Sequence, residues 1–340
     1  EEYTTEGDVD YETGHIEYDG NVNVKGSIKS GFRVSGSDIK SVEIDGGIVD
    51  AEGSLVVDGG IVEGKIFAKG GVFAKYIHKS EVICMGNVIV AREIVDSVII
   101  CSGSLIIESG KLISTEATAK MGLMVRHIGT ETATPCRVCV GKDKFTEREV
   151  KRINGRIEEI KEKVQECETK KIFMIQENKD LQQEITRLAH VQDRAQLEQK
   201  EISSKIASLE GKAGLGNTVE ELGREMETLE KEANDAEKAL DKCFEKSERI
   251  EESQERLEKN AQILEQNLED MKLEKANLLQ WSKDNPSNPV VKVEGTIQTG
   301  TFIQGEQSDI VVKNLIRYAR IMETREGDTD GLYQMQVTNL

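Results

Sequence analysis

Ile202-Ser203-Ser204-Lys205-Ile206-Ala207-Ser208-Leu209 and Val219-Glu220-Glu221-Leu222-Gly223-Arg224-Glu225-Met226 flank a short glycine-rich break, and each is the near end of a longer pattern. Before the break, apolar residues recur at alternating steps of three and four. They run through Val150, Ile153, Ile157, Ile160, Val164 and Cys167, then Met174, Leu181, Ile185, Leu188 and Ala195. After it the same steps pass through Leu229, Ala233, Ala236, Leu240, Cys243, Ile250, Leu257, Ala261, Leu264, Leu268, Met271 and Leu278. A sustained 3.5-residue period is the pattern of a coiled coil. The halves mirror each other. If Leu209 faces Val219, then Ile206 faces Leu222 and Ile202 faces Met226. The pairing continues to Val150 opposite Leu278, the two numbers of each pair adding to about 428. An antiparallel hairpin requires this symmetry; a parallel coil does not produce it.

The hairpin is expected over residues 146–285, with its tip at 211–217. Gly211, Gly214, Gly216 and Asn217 break the first helix. Thr146 with Glu149, and Thr218 with Glu221, read as capping boxes, in which hydroxyl and carboxylate each satisfy an orphan backbone N–H. Asp284-Asn285-Pro286 ends the return helix, since proline lacks a donor and blocks the preceding turn. A helix of about 65 residues is on the order of 100 Å long. Some core positions are polar: Lys171 opposite Leu257, Asn178 opposite Ile250, Gln192 opposite Ala236 and Lys275 opposite Ile153. Either they hold the register while the lysines reach out to water, or they mark a soft spot where a partner helix docks.

Outside the hairpin the texture is different. Residues 1–145 are a run of short strands punctuated by glycine. Val42-Glu43-Ile44-Asp45-Gly46-Gly47, Leu55-Val56-Val57-Asp58-Gly59-Gly60 and Val98-Ile99-Ile100-Cys101-Ser102-Gly103 are examples. Each alternates apolar and polar residues, so one face is buried and the other wet. The turns recur every 11 to 17 residues or so, and Cys84 and Cys101 fall in equivalent places. This is the behaviour of a parallel β-solenoid, with an ordinary β-sandwich as the competing reading. The texture resumes over residues 286–340, where Val290–Gly295 resembles Cys136–Gly141 and the last strands close the solenoid. The expected fold is mainly β plus α: a parallel β-helix interrupted by a long antiparallel coiled-coil hairpin.

The formal net charge is −18. Within the hairpin nearly all the acidity lies on the second helix. An acidic surface disfavours nucleic acid and anionic membrane as direct ligands. No apolar run is long enough to span a bilayer and no signal peptide is visible. The chain opens on Glu1 rather than methionine, as a trimmed chain does. The six cysteines show no disulfide spacing, which fits a reducing compartment.

No constellation for chemistry emerges. Cys136-Arg137-Val138-Cys139 is half of a zinc site without a second half, and i,i+3 positions on a strand face opposite ways, which leaves structural thiols as the favoured reading. His15, His78, His127 and His190 are scattered, and the paired carboxylates lie on helix surfaces. The glycine pairs sit between strands rather than in a phosphate loop. No catalytic residue, cofactor or metal is assigned. The organisation suits three classes: a non-catalytic scaffold that binds proteins or itself, a polymer-forming cytoskeletal element, and a β-helix enzyme acting on polysaccharide. The last would need converging Asp, Arg or Lys on adjacent coils, which the sequence does not offer.

The order of parts resembles the flagellar assembly protein A (FapA) family of bacteria. The resemblance rests on Gly7-Asp8-Val9, Gly14-His15-Ile16, Ile66-Phe67-Ala68-Lys69-Gly70-Gly71-Val72-Phe73-Ala74-Lys75-Tyr76-Ile77, Ile128–Pro135 before Val138-Cys139-Val140-Gly141, and Val293–Gly300. It covers nearly the whole chain, with one departure: Leu112-Ile113-Ser114-Thr115 stands where the family usually has a glycine pair. The resemblance implies a right-handed β-helix in the style of bactofilins, a cytoplasmic location, and a role in flagellar assembly or polar localisation. It transfers no site residue.

Overall fold

The computed structural model describes residues 2–209, 216–326 and 332–340. The chain divides into two compact units, Glu1–Ile153 with Lys275–Leu340, and Asn154–Glu274.

The first unit is a β-solenoid of about eight turns. Each turn gives strands to a twelve-stranded first sheet and a ten-stranded second sheet. Successive turns pair in parallel. In the second sheet Ala51 pairs with Ala68, Ala68 with Cys84, Cys84 with Cys101, and Cys101 with Ala119. In the first sheet Ile44, Ile61, Ile77, Ile94 and Leu112 stack likewise, all fully buried. The alternation legible in the sequence becomes these ladders, because a parallel register repeats the same pleat in every turn. Each buried branched side chain contributes roughly 1.5–3 kcal/mol.

The turns are equivalent in backbone too. Glu63, Lys79, Asp96 and Ser114 take φ near +50°, each just after a first-sheet strand. The next residue closes the corner. The Ser80, Ser97 and Thr115 hydroxyls donate to the carbonyls of His78, Val95 and Ile113, each at 2.7 Å. Where the chain departs from the family's glycine pair, Ser114 takes the left-handed conformation and Leu112 joins the core, so that coil is regular.

Residues Gly122–Ile128 belong to the first sheet and Arg137–Val140 to the second. After the helices, Val290–Ile297 pairs in parallel with Gly122–Ile128, and Phe302–Gln304 with Arg137–Val140. The strand at Val290 is therefore not the counterpart of Cys136–Gly141. The helices occupy a turn from second sheet to first, the place that Lys120 and Met121 fill one coil earlier and Ser102 and Gly103 two coils earlier. The final strands reverse: Ile316–Glu326 pairs antiparallel with Val290–Ile297, and Leu332–Asn339 antiparallel with Ile316–Glu326. The Glu323 carboxylate accepts from the Gln307 and Ser308 N–H groups and the Ser308 hydroxyl, tying this cap to the preceding turn.

The helices are α1, Lys144–Leu209, and α2, Gly216–Asp284. In the second unit their pairing follows the mirror register. Ala195, Ile202 and Leu229 are buried together, with Ile206, Leu222, Met226 and Ala233 against them. Lys171 reaches out of the seam to Glu258 at 2.8 Å. Asn178 sits in a polar layer, its amide oxygen accepting from Ser247 at 3.2 Å.

The thiols divide sharply. Burial pushes Cys101 up to about 12 and Cys84 well above the ordinary thiol range. Their thiols donate to the carbonyls of Gly103 and Gly86. Cys167 and Cys243, on the helices, are only half-buried. Thiolate is the reactive form. A maleimide in slight excess on the native chain is therefore expected to label Cys167 and Cys243 first, and the buried thiols only after unfolding. Peptide mapping checks this.

Candidate functional site

The most developed polar cluster in the solenoid unit lies at the base of the helices. Ser102 and Lys120 follow the paired residues Cys101 and Ala119, so the solenoid repeat places them in adjacent turns at the same corner. Asp143 stands just before α1, and Trp281 and Ser282 lie in the last turn of α2. The side chains of Lys120 and Asp143 are only 5% and 12% exposed and meet at 3.0 Å. Lys120 Nζ also donates to the carbonyl and hydroxyl of Ser282 at 2.9 and 3.1 Å, and it lies 5.4 Å from the centre of the Trp281 ring. Asp143 accepts from the hydroxyls of Ser102 and Ser282 at 2.6 and 2.7 Å and from the Thr146 N–H at 3.1 Å. Burial by itself would push the Asp143 carboxyl up. The two hydroxyls, the Thr146 N–H and Lys120 outweigh it and hold the carboxyl below its usual range.

Asp143 is thus the N-cap of α1. This corrects the expectation for Thr146 and Glu149. Thr146 lies inside the first turn and contributes its N–H, while its hydroxyl is buried without a partner. Glu149 turns to Arg152 at 2.8 Å. The physical reason is position: a carboxylate at residue 143 meets both the helix N-terminus and a buried ammonium, which a hydroxyl at 146 cannot match. On the other helix, Thr218 lies exposed in the first turn of α2, which already includes Gly216, and Glu221 is exposed in the turn after it. Gly211 and Gly214 fall outside the described residues.

The start of α1 covers part of the solenoid. On the outside of the second sheet, Phe67, Ile83, Ile100, Thr118 and Cys139 form a ladder. Phe145, fully buried, stacks on Phe67 at 5.8 Å, and Arg148 reaches Glu81 at 3.1 Å. The outside of this sheet was expected to be wet; the helix shelters it instead.

The cluster has the ingredients of a serine–lysine pair, but its geometry serves another end. A Ser–Lys nucleophile needs a lone pair on nitrogen and an open approach. Here the three donors of the ammonium are committed to Asp143, the Ser282 carbonyl and the Ser282 hydroxyl, beneath Trp281. The arrangement fastens the end of α2 and the start of α1 to neighbouring coils. The remaining candidates lie apart. The Cys136 thiol is buried and donates to the Leu112 carbonyl at 3.3 Å, while Cys139, on the strand Arg137–Val140 that follows it, faces outward. His15 accepts from the Arg33 N–H, His78 pairs with Glu93, and His127 bonds Thr296. Sequence reasoning missed Lys120, Asp143, Ser102 and Ser282. The available signal was Asp143 three residues before Thr146, an N-cap spacing that competes with the Thr146–Glu149 reading.

A parallel solenoid whose one turn is replaced by a clasped helical pair defines a structural β-solenoid protein. The model of the Flagellar Assembly Protein A beta solenoid domain matches residues 1–216. That is more than half of the chain, and the protein belongs to the FapA family. Membership brings a structural, assembly-type role. No curated protein and no solved structure matches the chain. No helix among the described residues is long and apolar enough to cross a membrane.

Proposed function

We propose that the protein is a non-catalytic scaffold of the bacterial cytoplasm that serves flagellar assembly or polar localisation by binding other proteins through its helical hairpin and solenoid surface. The observation that carries this reading is an apolar group on α1 in a highly charged setting. Ile172, Phe173 and Ile175 are 70%, 70% and 53% exposed, outside the a and d positions that pack against α2. Large apolar side chains held in water on a polar helix are the usual signature of a protein contact. The family supports the assembly role, and the acidic second helix supplies a charged flank. The division into hairpin and solenoid modules belongs to the same proposal.

Two chromosomal alleles test it in a flagellated bacterium that carries the gene. One lacks residues 154–274, leaving the first and last helical turns that shelter the second sheet. The other carries Ile172→Glu, Phe173→Glu and Ile175→Glu. Both proteins are expected to accumulate normally, while the number or placement of flagella changes. Unaltered flagella with normal protein levels would reject the reading.

A further inference from the structure

We propose that two copies of this chain pair through the outer face of the first sheet, with their solenoid axes antiparallel and a two-fold axis parallel to the strands. This goes beyond the scaffold reading and does not depend on it.

The outward positions of the first sheet stack as regularly as the inward ones. Lys40 pairs with Val56, Val56 with Phe73, Phe73 with Ile89, Ile89 with Ile106, Ile106 with Met124, and Met124 with Lys292. Five successive turns therefore present an unbroken apolar ladder from Val56 to Met124. Val56 and Phe73 are 38% and 37% exposed. On the second sheet the corresponding ladder is sheltered by α1. A ladder of this kind on an open face is an interaction surface.

The row beside it names the occupant. Two residues beyond each ladder position stand Asp58, Lys75, Ala91, Glu108 and Arg126, all exposed. Their charges run negative, positive, neutral, negative, positive. Read backwards, every sign is reversed. A two-fold axis along the strands through Ile89 reverses the order of turns and keeps each row opposite itself. It sets Lys75 against the partner copy's Glu108 and Asp58 against its Arg126, with Ala91 against Ala91. The ladder then meets itself, Phe73 on Ile106 and Val56 on Met124. The row on the other side, with Ser54, Gly71, Asn87, Ser104 and Gly122, is small and uncharged, which permits close approach. Lys40 and Lys292 meet at the ends, and each already has a carboxylate, Asp58 at 3.3 Å and Glu294 at 2.8 Å. A two-fold along the solenoid axis would instead set the charged row against the small one and leave its charges unmatched.

At about 4.8 Å per strand, the face from Lys40 to Lys292 is on the order of 30 Å long. Three rows wide, it offers roughly 500 Å² per copy, at the low end for a specific interface. An interface of this size is expected to be a reversible one rather than a permanent one.

Sedimentation of the full chain between about 1 and 200 µM tests this. A reversible monomer–dimer equilibrium is expected. Lys75→Glu alone and Glu108→Lys alone each create two like-charge contacts per dimer, and each should weaken it about tenfold or more. The double variant restores opposite charges and should return the dimer to near its original strength. Phe73→Glu should abolish it. All three substituted positions are exposed, and circular dichroism checks that the fold is retained in the four variants. A chain monomeric throughout the range overturns the proposal. So does association indifferent to the single reversals, or a double variant as weak as either single one.

Discussion

Lys120→Met is expected to lower the stability of the solenoid unit by about 3–5 kcal/mol, since it leaves the Asp143 carboxylate buried without a cation. Asp143→Asn strands the ammonium in the same way, although asparagine still caps α1. The double replacement removes both charges and should recover a good part of the loss. Trp281 is the single tryptophan and lies beside Lys120, so its fluorescence in a urea titration reads the clasp directly. The Asp143 carboxyl is depressed in the folded protein, so its stabilisation is fully present above the unfolded value of about 4. It is lost as pH falls through the lower folded value. Acid titration should therefore shift Trp281 emission while the strand signal persists. If the double variant costs as much as the sum of the two single ones, the ion pair is not the element that holds the helices.

Gly110→Ala is expected to disrupt the solenoid as strongly as a core deletion, by about 3 kcal/mol or more. A Cβ at Gly110 would fall onto the carbonyl oxygen of Arg92 in the preceding turn, with a core side chain, Ile107, close behind. The oxygen belongs to the backbone of the neighbouring coil, so it cannot swing aside as a side chain would. The contrast is Gly155, inside α1, where an added Cβ meets nothing. Gly155→Ala is expected to stabilise the helix by roughly 0.5–1 kcal/mol. Thermal melts of the two variants should move in opposite directions; a harmless Gly110→Ala would mean that the register of that coil is wrong.

The hairpin was legible because its information is one-dimensional. A period of 3.5 and a mirror sum can be read from numbering alone, and Ile202, Met226, Ile206 and Leu222 pack accordingly. The solenoid was legible in kind. Alternation with glycine turns, and Cys84 seventeen residues before Cys101, implied stacked coils. Its register was not. Val290 was matched to Cys136 because both begin short apolar strands, whereas hydrogen bonding sets Val290 beside Gly122. The cap of α1 was misplaced for a related reason. Local capping chemistry favoured Thr146, while Asp143 won through contacts with residues 23, 41 and 139 positions away in the chain.

What the sequence alone determined is therefore whatever a periodic segment specifies about itself: two antiparallel helices, a glycine-punctuated parallel solenoid, and the family. Which turn the helices replace, how Lys120 is neutralised, and which outer ladder is sheltered and which left bare were decided only by tertiary structure. These depend on residues brought together from distant turns. In a solenoid the coil-to-coil register, which no local pattern encodes, sets every such meeting.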